Sequence, residues 1–290
     1  MTDVLVVAHH DRLEAAALAR LATTWLSEHG HMAWMTPEDA EPLELLDLVS
    51  ERKPESAGLA LCLGGDGTML RAVKMLGGAG VPIIGVNVGL LGYLTEVEPP
   101  ALTTALERWA AGSEKGEWRI EERMMLDASL RRSGVAGIDD VESWTALNEA
   151  VVEKQEAGHT VRLLVRIDGA TFTSYAADGL IIATPTGSTA YSLSARGPVV
   201  SPKHRALLLT PVSPHMLFDR SLVLDPDEEV EIEVIGHRAA TLSIDGQKAA
   251  TLAEGDTVVV RSSTSVARFV RFGERRFHQI LKTKFGLSDR

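Results

Sequence analysis

The sequence predicts two regions in succession, an α/β domain with a parallel sheet and then an all-β domain that forms a sandwich. Over roughly the first 115 residues, short apolar runs alternate with amphipathic segments, which is typical of strands alternating with helices. From Arg119 onward, short runs of alternating polarity are separated by turn dipeptides. We therefore expect a Rossmann-like domain at 1–115, an all-β domain at 116–274, and a C-terminal helix at 275–290 that packs back on the first domain.

The elements of the first domain follow from its hydrophobic pattern. Each predicted strand is a short continuous apolar run, and each predicted helix has an amphipathic pattern, the first of them ending at Gly30. The predicted strands are Val4–Val7, Leu59–Leu63 and Val81–Val86, and the predicted helices are Leu13–Glu28, Met69–Leu76 and Ala101–Ala111.

The second domain is predicted from hairpin signals and period-two alternation. Asp168-Gly169 and Asp245-Gly246 are dipeptides that favour tight hairpin turns. The strands predicted here include Val161–Ile167, Ala170–Tyr175, Glu229–Ile235 and Thr257–Arg261. Ser133–Asp140 is predicted to be an exposed loop, and helical character returns only at Arg275–Phe285.

Composition narrows the class of protein. The chain has 290 residues, of which 45% are hydrophobic and 24% charged, as in an ordinary globular protein. Its net charge of −11 argues against a nucleic-acid or anionic-membrane surface but leaves a phosphorylated ligand open. Cys62 is the only cysteine and lies in an apolar run, so we interpret it as a small buried hydrophobe. With no apparent signal peptide or membrane span, we expect a cytoplasmic protein.

The turn Gly64-Gly65-Asp66-Gly67-Thr68 stands between a predicted strand and a predicted helix. Glycines let backbone N–H groups approach an anion, and a helix N-terminus adds a positive dipole end. Because Asp66 would repel phosphate, we expect it to bind a hydroxyl or a metal. The alternative is a tight turn with Asp66 as the helix N-cap. A Walker A motif does not occur, and Leu70 stands where a dinucleotide fingerprint needs its third glycine.

Two further polar segments are candidates for function. His9, His10 and Asp11 follow the first strand, and their adjacent spacing favours a polar loop over a metal site. Thr184–Ala195 follows another apolar run with a dense set of hydroxyls, small residues and one tyrosine, which suits a purine or ribose. A Ser/Thr-rich connecting loop is the alternative for this segment.

Together these motifs resemble those of the bacterial NAD kinases. The Gly-Gly-Asp-Gly-Thr turn is shared with diacylglycerol kinases and phosphofructokinases, whereas the Thr184–Ala195 block is not. The resemblance extends from about Leu59 to Gln247. The matching segments are Gly64–Thr68, Gly89–Leu94, Asn148-Glu149, Asp178–Ala195 and Asp245–Gln247.

The resemblance implies phosphoryl transfer from ATP or polyphosphate to the 2′-hydroxyl of the adenosine ribose of NAD. Asp66 would be the general base, assisted by Mg²⁺ or another divalent cation held mainly by donor phosphates. The family also implies a homodimer or homotetramer.

The resemblance further implies a set of substrate-binding residues. They are Asp66, Gly67, Arg71, Asn148, Glu149, His159, Asp178, Thr189, Ala190, Tyr191, Ser192, Leu193, Ser194 and Gln247. From the residues alone, Asn148-Glu149 also fits the edge of an alternating strand, and His159 also fits a solvated turn.

One position departs from the family pattern. The family often has a basic residue two positions before Asp178, where this chain has Ala176. This departure predicts measurable phosphorylation of NADH beside NAD. The competing interpretations are a lipid or sugar kinase of the same superfamily, which substrate assays would separate, and a non-catalytic dinucleotide sensor, which the presence of Asp66 disfavours.

Overall fold

The structure, a computed structural model, describes residues 1–90, 92–134, 142–274 and 276–287. The chain divides into two compact units. Unit 1 comprises Met1–Glu122 and Ala267–Arg290, and unit 2 comprises Arg123–Val266. Each unit is described by itself below.

Unit 1 alternates strands and helices. Before the chain enters unit 2, it forms β1 (Asp3–Ala8), α1 (Leu13–Glu28), β2 (Met32–Trp34), α2 (Pro37–Ala40), β3 (Leu59–Gly64), α3 (Asp66–Met75), β4 (Pro82–Asn87), α4 (Leu102–Ala110) and α5 (Ser113–Gly116). Gly30 follows α1 with a φ of +77°, a left-handed conformation that glycine adopts without strain and that ends the helix.

Unit 2 consists almost entirely of strands. They are β5 (Arg119–Arg131, which begins in unit 1), β6 (Glu142–Ala146), β7 (Glu149–Lys154), β8 (Val161–Ile167), β9 (Ala170–Ala177), β10 (Gly179–Ala183), β11 (Leu207–Val212), β12 (Leu222–Leu224), β13 (Val230–Val234), β14 (Ala240–Ile244), β15 (Gln247–Leu252) and β16 (Thr257–Arg271, which ends in unit 1). Helix α6 (Tyr191–Ser194) lies between β10 and β11, and α7 (Phe277–Lys284) follows β16 in unit 1.

The sheet of unit 1 is parallel, in the order β2-β1-β3-β4. β1 pairs with β3 up to Ala8↔Leu63, and β3 pairs with β4 up to Gly64↔Asn87. The end of β16 adds a further parallel strand beside β4. Because β1, β3 and β4 run in the same direction, the loops that follow them leave from one edge of the sheet, where open α/β sheets bind ligands.

The core of unit 1 is built around β3. All six residues of this strand are buried, which is why its sequence is a continuous apolar run. Cys62 pairs with Val7 on one side and Gly85 on the other and is fully buried, and burial raises the pKa of its thiol. Helix α3 contributes a buried face of Thr68, Met69, Ala72 and Val73.

Unit 2 is a sandwich of antiparallel sheets. One runs β16-β13-β8-β9, and the other runs β12-β11-β10-β7-β14-β15. Side chains from both sheets enter a single core, including Leu163 of β8, Leu180 of β10 and Leu209 of β11. Along β8 buried and more exposed residues alternate, as expected when only one face of a strand meets the core.

The predicted fold class is confirmed, with a mostly parallel sheet in the first region and antiparallel sheets in the second. Both predicted hairpins are present, as β8–β9 and β14–β15. The division into domains at 115 and 274, with the C-terminal helix on the first domain, stays a prediction. No helix among the described residues is long and apolar enough to cross a membrane.

Several details differ from the sequence-based expectation. β16 spans 15 residues rather than the predicted Thr257–Arg261, and the short helix α6 occurs in a region expected to lack helices. Two described residues of the predicted loop Ser133–Asp140, Ser133 and Gly134, form a turn, and the rest of that loop lies outside the described residues.

Candidate active site

Asp66 lies where β3 passes into α3, at the carboxyl edge of the parallel sheet. Gly64 and Gly65 make the turn, and a Cβ on Gly64 would lie 2.2 Å from the Thr68 hydroxyl, so glycine is required there. The N-cap of α3 is Gly65, and Asp66 is the first helical residue. The alternative in which Asp66 is the N-cap is therefore wrong.

The Asp66 carboxylate is held by backbone groups of the segment Gly89–Leu94. The Tyr93 N–H donates to Oδ2 at 2.8 Å, and the Leu94 N–H donates to Oδ1 at 2.9 Å. Gly92 lies so close that a Cβ on it would be 2.3 Å from Oδ1. Leu91 lies outside the described residues. This motif therefore fixes the orientation of the carboxylate.

An open pocket of about 420 Å³ adjoins the start of α3. Its walls come from the loop after β1, the first turns of α3 and the chain after β4. The lining residues are His9, His10, Asp11, Arg12, Gly65, Gly67, Thr68, Arg71, Val88 and Leu90. The structure thus brings Gly67 and Arg71, two predicted binding residues, to one pocket.

Asp39 is a residue of this site that the sequence analysis missed. Its side chain is 2% exposed, and its Oδ1 accepts from Arg71 Nη2 at 2.5 Å and lies 2.8 Å from His10 Nε2. Pro37-Glu38-Asp39-Ala40 matches no motif, so only the fold brings this carboxylate to the loop after β1. Within the described ranges, no group of three or more His, Cys, Asp or Glu side chains could hold a metal ion.

Asp245 organises the turn at Asn148 and Glu149 in unit 2. Its Oδ2 accepts from the Leu147 N–H at 2.8 Å, and its Oδ1 accepts from the N–H groups of Asn148 and Glu149 at 2.7 and 3.0 Å. The Asn148 carbonyl accepts in turn from the Thr184 N–H at 2.8 Å. The Asp245–Gln247 motif therefore has a clear role in shaping the Asn148-Glu149 turn.

Glu149 is buried at the start of β7, an interior strand between β10 and β14. Asn148-Glu149 lies at the edge of a strand, as the alternative expected, but the first four residues of β7 are all buried, so the strand does not alternate there. Burial, and secondly the nearby charge of Asp245, raise the pKa of Glu149 to about 8. The Tyr191 N–H donates to the carboxyl group, and Oε2 has no hydrogen-bond partner in the described part of the chain. At neutral pH Glu149 is mostly protonated and can donate to a ligand oxygen.

Several hydroxyls of the Thr184–Ala195 block bind the protein itself. Thr184 donates to the Leu147 carbonyl at 2.6 Å, and Ser188 donates to the Pro185 carbonyl at 2.7 Å. The Ser192 hydroxyl is fully buried and lies 3.2 Å from that of Thr210. These bonds give the connecting segment a defined shape. They leave Ser192 little access to a ligand.

Tyr191 stands beside two other predicted site residues. It is 37% exposed, and burial followed by the charges of Glu153, Asp178 and Glu149 raise the pKa of its hydroxyl. The Asp178 carboxylate accepts from Lys154 Nζ at 2.6 Å. Unit 2 thus brings Glu149, Asp178 and Tyr191 into one electrostatic environment.

The remaining predicted residues divide by location. Thr189, Ala190, Leu193 and Ser194 lie in the same segment as Tyr191, and Gln247 is exposed at the start of β15. His159 is exposed and lines a different pocket of about 360 Å³, together with Lys154, His237 and Arg238. His159 lies in the exposed connection between β7 and β8, next to the turn at Gly158.

Models of two protein families match the chain. The ATP-NAD kinase N-terminal domain matches residues 4–113, and the ATP-NAD kinase C-terminal domain matches residues 147–272.

Proteins named NAD kinase are similar to the chain over nearly its whole length. The protein from Heliobacterium modesticaldum is 42% identical over 291 residues, covering 98% of each chain. The protein from Geobacter metallireducens is 40% identical over 268 residues and covers 92% of each, and that from Acidobacterium capsulatum is 38% identical over the full length of both.

Solved structures show the same relationship. Yeast NADH kinase complexed with NADH has a TM-score of 0.88 at 26% identity, covering 100% of this chain and 89% of that one. An NAD kinase from Archaeoglobus fulgidus in complex with ATP has a TM-score of 0.70 at 24% identity, covering 98% and 96%, and supports the fold. From its family models, relatives and structural neighbours, the chain belongs to the NAD kinase family of phosphotransferases.

Proposed function

We propose that this phosphotransferase moves the terminal phosphoryl group of ATP to the 2′-hydroxyl of the adenosine ribose of NAD, which yields NADP. The observation that carries the proposal is the Asp66 carboxylate, which two backbone N–H groups fix in a turn whose neighbouring residues, Gly65 and Gly67, line an open pocket. Inorganic polyphosphate is the second donor to be tested, because it presents the same chain of phosphates.

In this proposal Asp66 is the general base. Phosphoryl transfer passes through a loose, in-line transition state, so positioning and neutralisation of charge supply most of the rate enhancement. A carboxylate oxygen has more than one lone pair, so Oδ1 or Oδ2 can accept from the ribose hydroxyl while it keeps its backbone bond. As the new bond forms, the hydroxyl proton passes to Asp66.

Mg²⁺ fits the residues present. It is commonly held by one or two carboxylates together with substrate phosphates rather than by a cage of protein ligands. Asp11 supplies a carboxylate in the pocket wall, and the donor would supply the other oxygens. When bound, the ion offsets repulsion between the donor phosphates and the carboxylates.

Unit 2 would bind the nucleoside parts of NAD. Glu149, protonated at neutral pH, can donate to a ribose oxygen, and the half-exposed Tyr191 can stack on a ring. Asn148, Asp178, Thr189, Ala190, Leu193, Ser194, Gln247 and His159 stay proposed contacts. For Ser192 we propose a supporting role, since its hydroxyl is paired with that of Thr210. The proposal also includes assembly as a homodimer or homotetramer and a cytoplasmic location.

The test is NADP formation by the purified chain with ATP or polyphosphate as donor. Asp66→Asn keeps the size of the side chain but cannot accept the proton, so kcat should fall about 10²- to 10⁴-fold. Asp3→Asn, which removes an exposed partner of Arg52 in the same unit, is the matched control and should keep full turnover. Near-normal kcat in a folded Asp66→Asn variant would remove the base assignment.

A further inference from the structure

The pocket beside α3 has a wall of basic groups that the general base does not explain. His10 and Arg12 come from the loop after β1, and Arg71 comes from the second turn of α3. Because β1 and β3 are neighbouring parallel strands, with Ala8 paired to Leu63, this loop and the start of α3 leave the same edge of the sheet. Three side chains from two separate segments thus converge on one pocket.

Asp39 holds two of these groups in place. Its single oxygen Oδ1 meets both Arg71 Nη2, at 2.5 Å, and His10 Nε2, at 2.8 Å. Since an ionised carboxylate only accepts, His10 donates from Nε2, which fixes its ring position, and in the imidazolium form Nδ1 can donate to a phosphate oxygen as well. Arg71 is fixed a second time, because the same Nη2 donates to the Ala8 carbonyl at 2.5 Å. The buried Asp39 carboxylate therefore fixes both side chains through one oxygen.

Two features of this wall suit an anion. Arg71 Nε is buried and has no hydrogen-bond partner among the residues that the structure describes. Arg12 lies against Gly89, where a Cβ would be 2.3 Å from its Nη1, so the glycine leaves room for the guanidinium. Guanidinium groups match phosphate oxygens in charge and geometry. The pocket, at about 420 Å³, has the size of a small-ligand site.

We propose that Asp39 is a positioning residue for the phosphoryl donor, which holds the His10 imidazole and the Arg71 guanidinium where both bind the polyphosphate chain. This inference rests on the proposed function, since it takes the pocket as the donor site. The shared chemistry is a chain of phosphates carrying Mg²⁺, whether in ATP or in inorganic tripolyphosphate. Because the site would recognise the phosphates and not adenine, substitutions in it should weaken the binding of ATP and of tripolyphosphate equally.

The experiment compares two variants of the full chain, Asp39→Asn and His10→Ala. Each should raise the KM for ATP about 10-fold, the usual effect of losing one charge-assisted hydrogen bond, and the KM for NAD should stay within about twofold. The matched control is Asp47→Asn, which removes an exposed carboxylate paired with Arg20 in the same unit. That control should leave both KM values unchanged.

The separation of the two KM values distinguishes positioning from simple destabilisation. A destabilised variant loses active protein and therefore kcat, while its KM for ATP stays normal. If Asp39→Asn does not fold, the 32% exposed His10 still provides the test through His10→Ala. A folded His10→Ala variant with an unchanged KM for ATP overturns the proposal.

A second measurement separates this inference from the proposed function. Calorimetric titration with Mg²⁺-tripolyphosphate needs no turnover, so it is informative even if the chain forms no NADP. Binding by the wild type that weakens about 10-fold in His10→Ala supports the donor site. Absent binding, or equal binding by wild type and variant, overturns it.

Discussion

At the level of single residues, Glu149 is a carboxyl group whose proton affinity is changed by the fold. Its pKa rises from an ordinary value of 4.5 to about 8, mainly through burial. The folded state holds this proton more tightly than the unfolded chain does. The protonated Glu149 therefore makes its full contribution to the free energy of unfolding below pH 4.5. This contribution decreases as the pH rises and is lost above about pH 8.

Glu149→Gln should therefore stabilise the protein more at pH 9 than at pH 5. The amide cannot ionise, so the difference in unfolding free energy between variant and wild type should grow by a few kcal/mol across that range, about 1.4 kcal/mol per pKa unit. Urea unfolding at both pH values measures it. Glu254→Gln, an exposed glutamate of the same unit, should show no such growth. A pH-independent difference for Glu149→Gln would mean that the native carboxyl is ionised.

Ala176 is a residue at which acceptor choice can be tested. It is half-buried in β9, at the position where the family often carries a basic side chain. We expect the wild type to phosphorylate NADH measurably. Ala176→Arg should shift the ratio of kcat/KM values toward NAD by roughly 5- to 30-fold, the effect of one charged contact.

The matched control for this substitution is Ala170→Arg, at the exposed start of the same strand. It should leave the ratio unchanged. If the wild type shows no activity with NADH, or if Ala176→Arg leaves the ratio as it was, this position does not select the acceptor.

The residues of the site could be predicted only where chemistry leaves a local pattern. Asp66 is recognisable because glycines and a helix start surround it in sequence. Asp39 is not, because its partners Arg71 and His10 are distant in the chain and meet it only through the parallel sheet. The proton affinity of Glu149 was also beyond prediction, since it depends on burial between β10 and β14.

At the level of elements, the Gly89–Leu94 segment acts as a clamp on Asp66. Gly92→Ala would place a methyl group 2.3 Å from Asp66 Oδ1 and 2.9 Å from the Thr95 hydroxyl, so the carboxylate must move. A displacement of about 1 Å can lower turnover about 10²-fold, and we expect a decrease of that order in kcat. Steady-state kinetics together with a thermal melt would measure the effect.

Gly273→Ala is the matched control for this clamp. A Cβ on Gly273 meets nothing closer than 4.0 Å, so the same added methyl group should leave kcat unchanged. Full activity in Gly92→Ala would show that the backbone N–H groups of Tyr93 and Leu94 are not needed to orient Asp66.

Elements with a strong local pattern were predicted well, and those stabilised by distant partners were not. The apolar run of β3 and the Asp168-Gly169 hairpin are encoded locally. β2 is only three residues long and exists because it pairs with β1. The length of β16 comes from successive partners, β13 along its first part and β4 near its end.

At the level of the whole molecule, metal dependence should appear in turnover and not in stability. The described residues contain no group of three or more His, Cys, Asp or Glu able to hold an ion, whereas structural metal sites contribute folding free energy directly. We expect EDTA to abolish NADP formation and added Mg²⁺ to restore it, with Tm unchanged throughout. A decrease in Tm on chelation would reveal a structural metal.

Because Cys62 is buried, the reactivity of its thiol reports on opening motions of unit 1. A thiol reagent cannot reach Cys62 in β3 while the sheet is intact. The rate at which the reagent modifies Cys62 therefore measures how often this strand opens to solvent. Since the sequence has no other cysteine, each modification reports on one location. A fluorophore or spin label would likewise attach to an engineered surface cysteine alone, because the buried native thiol does not react while the sheet is intact.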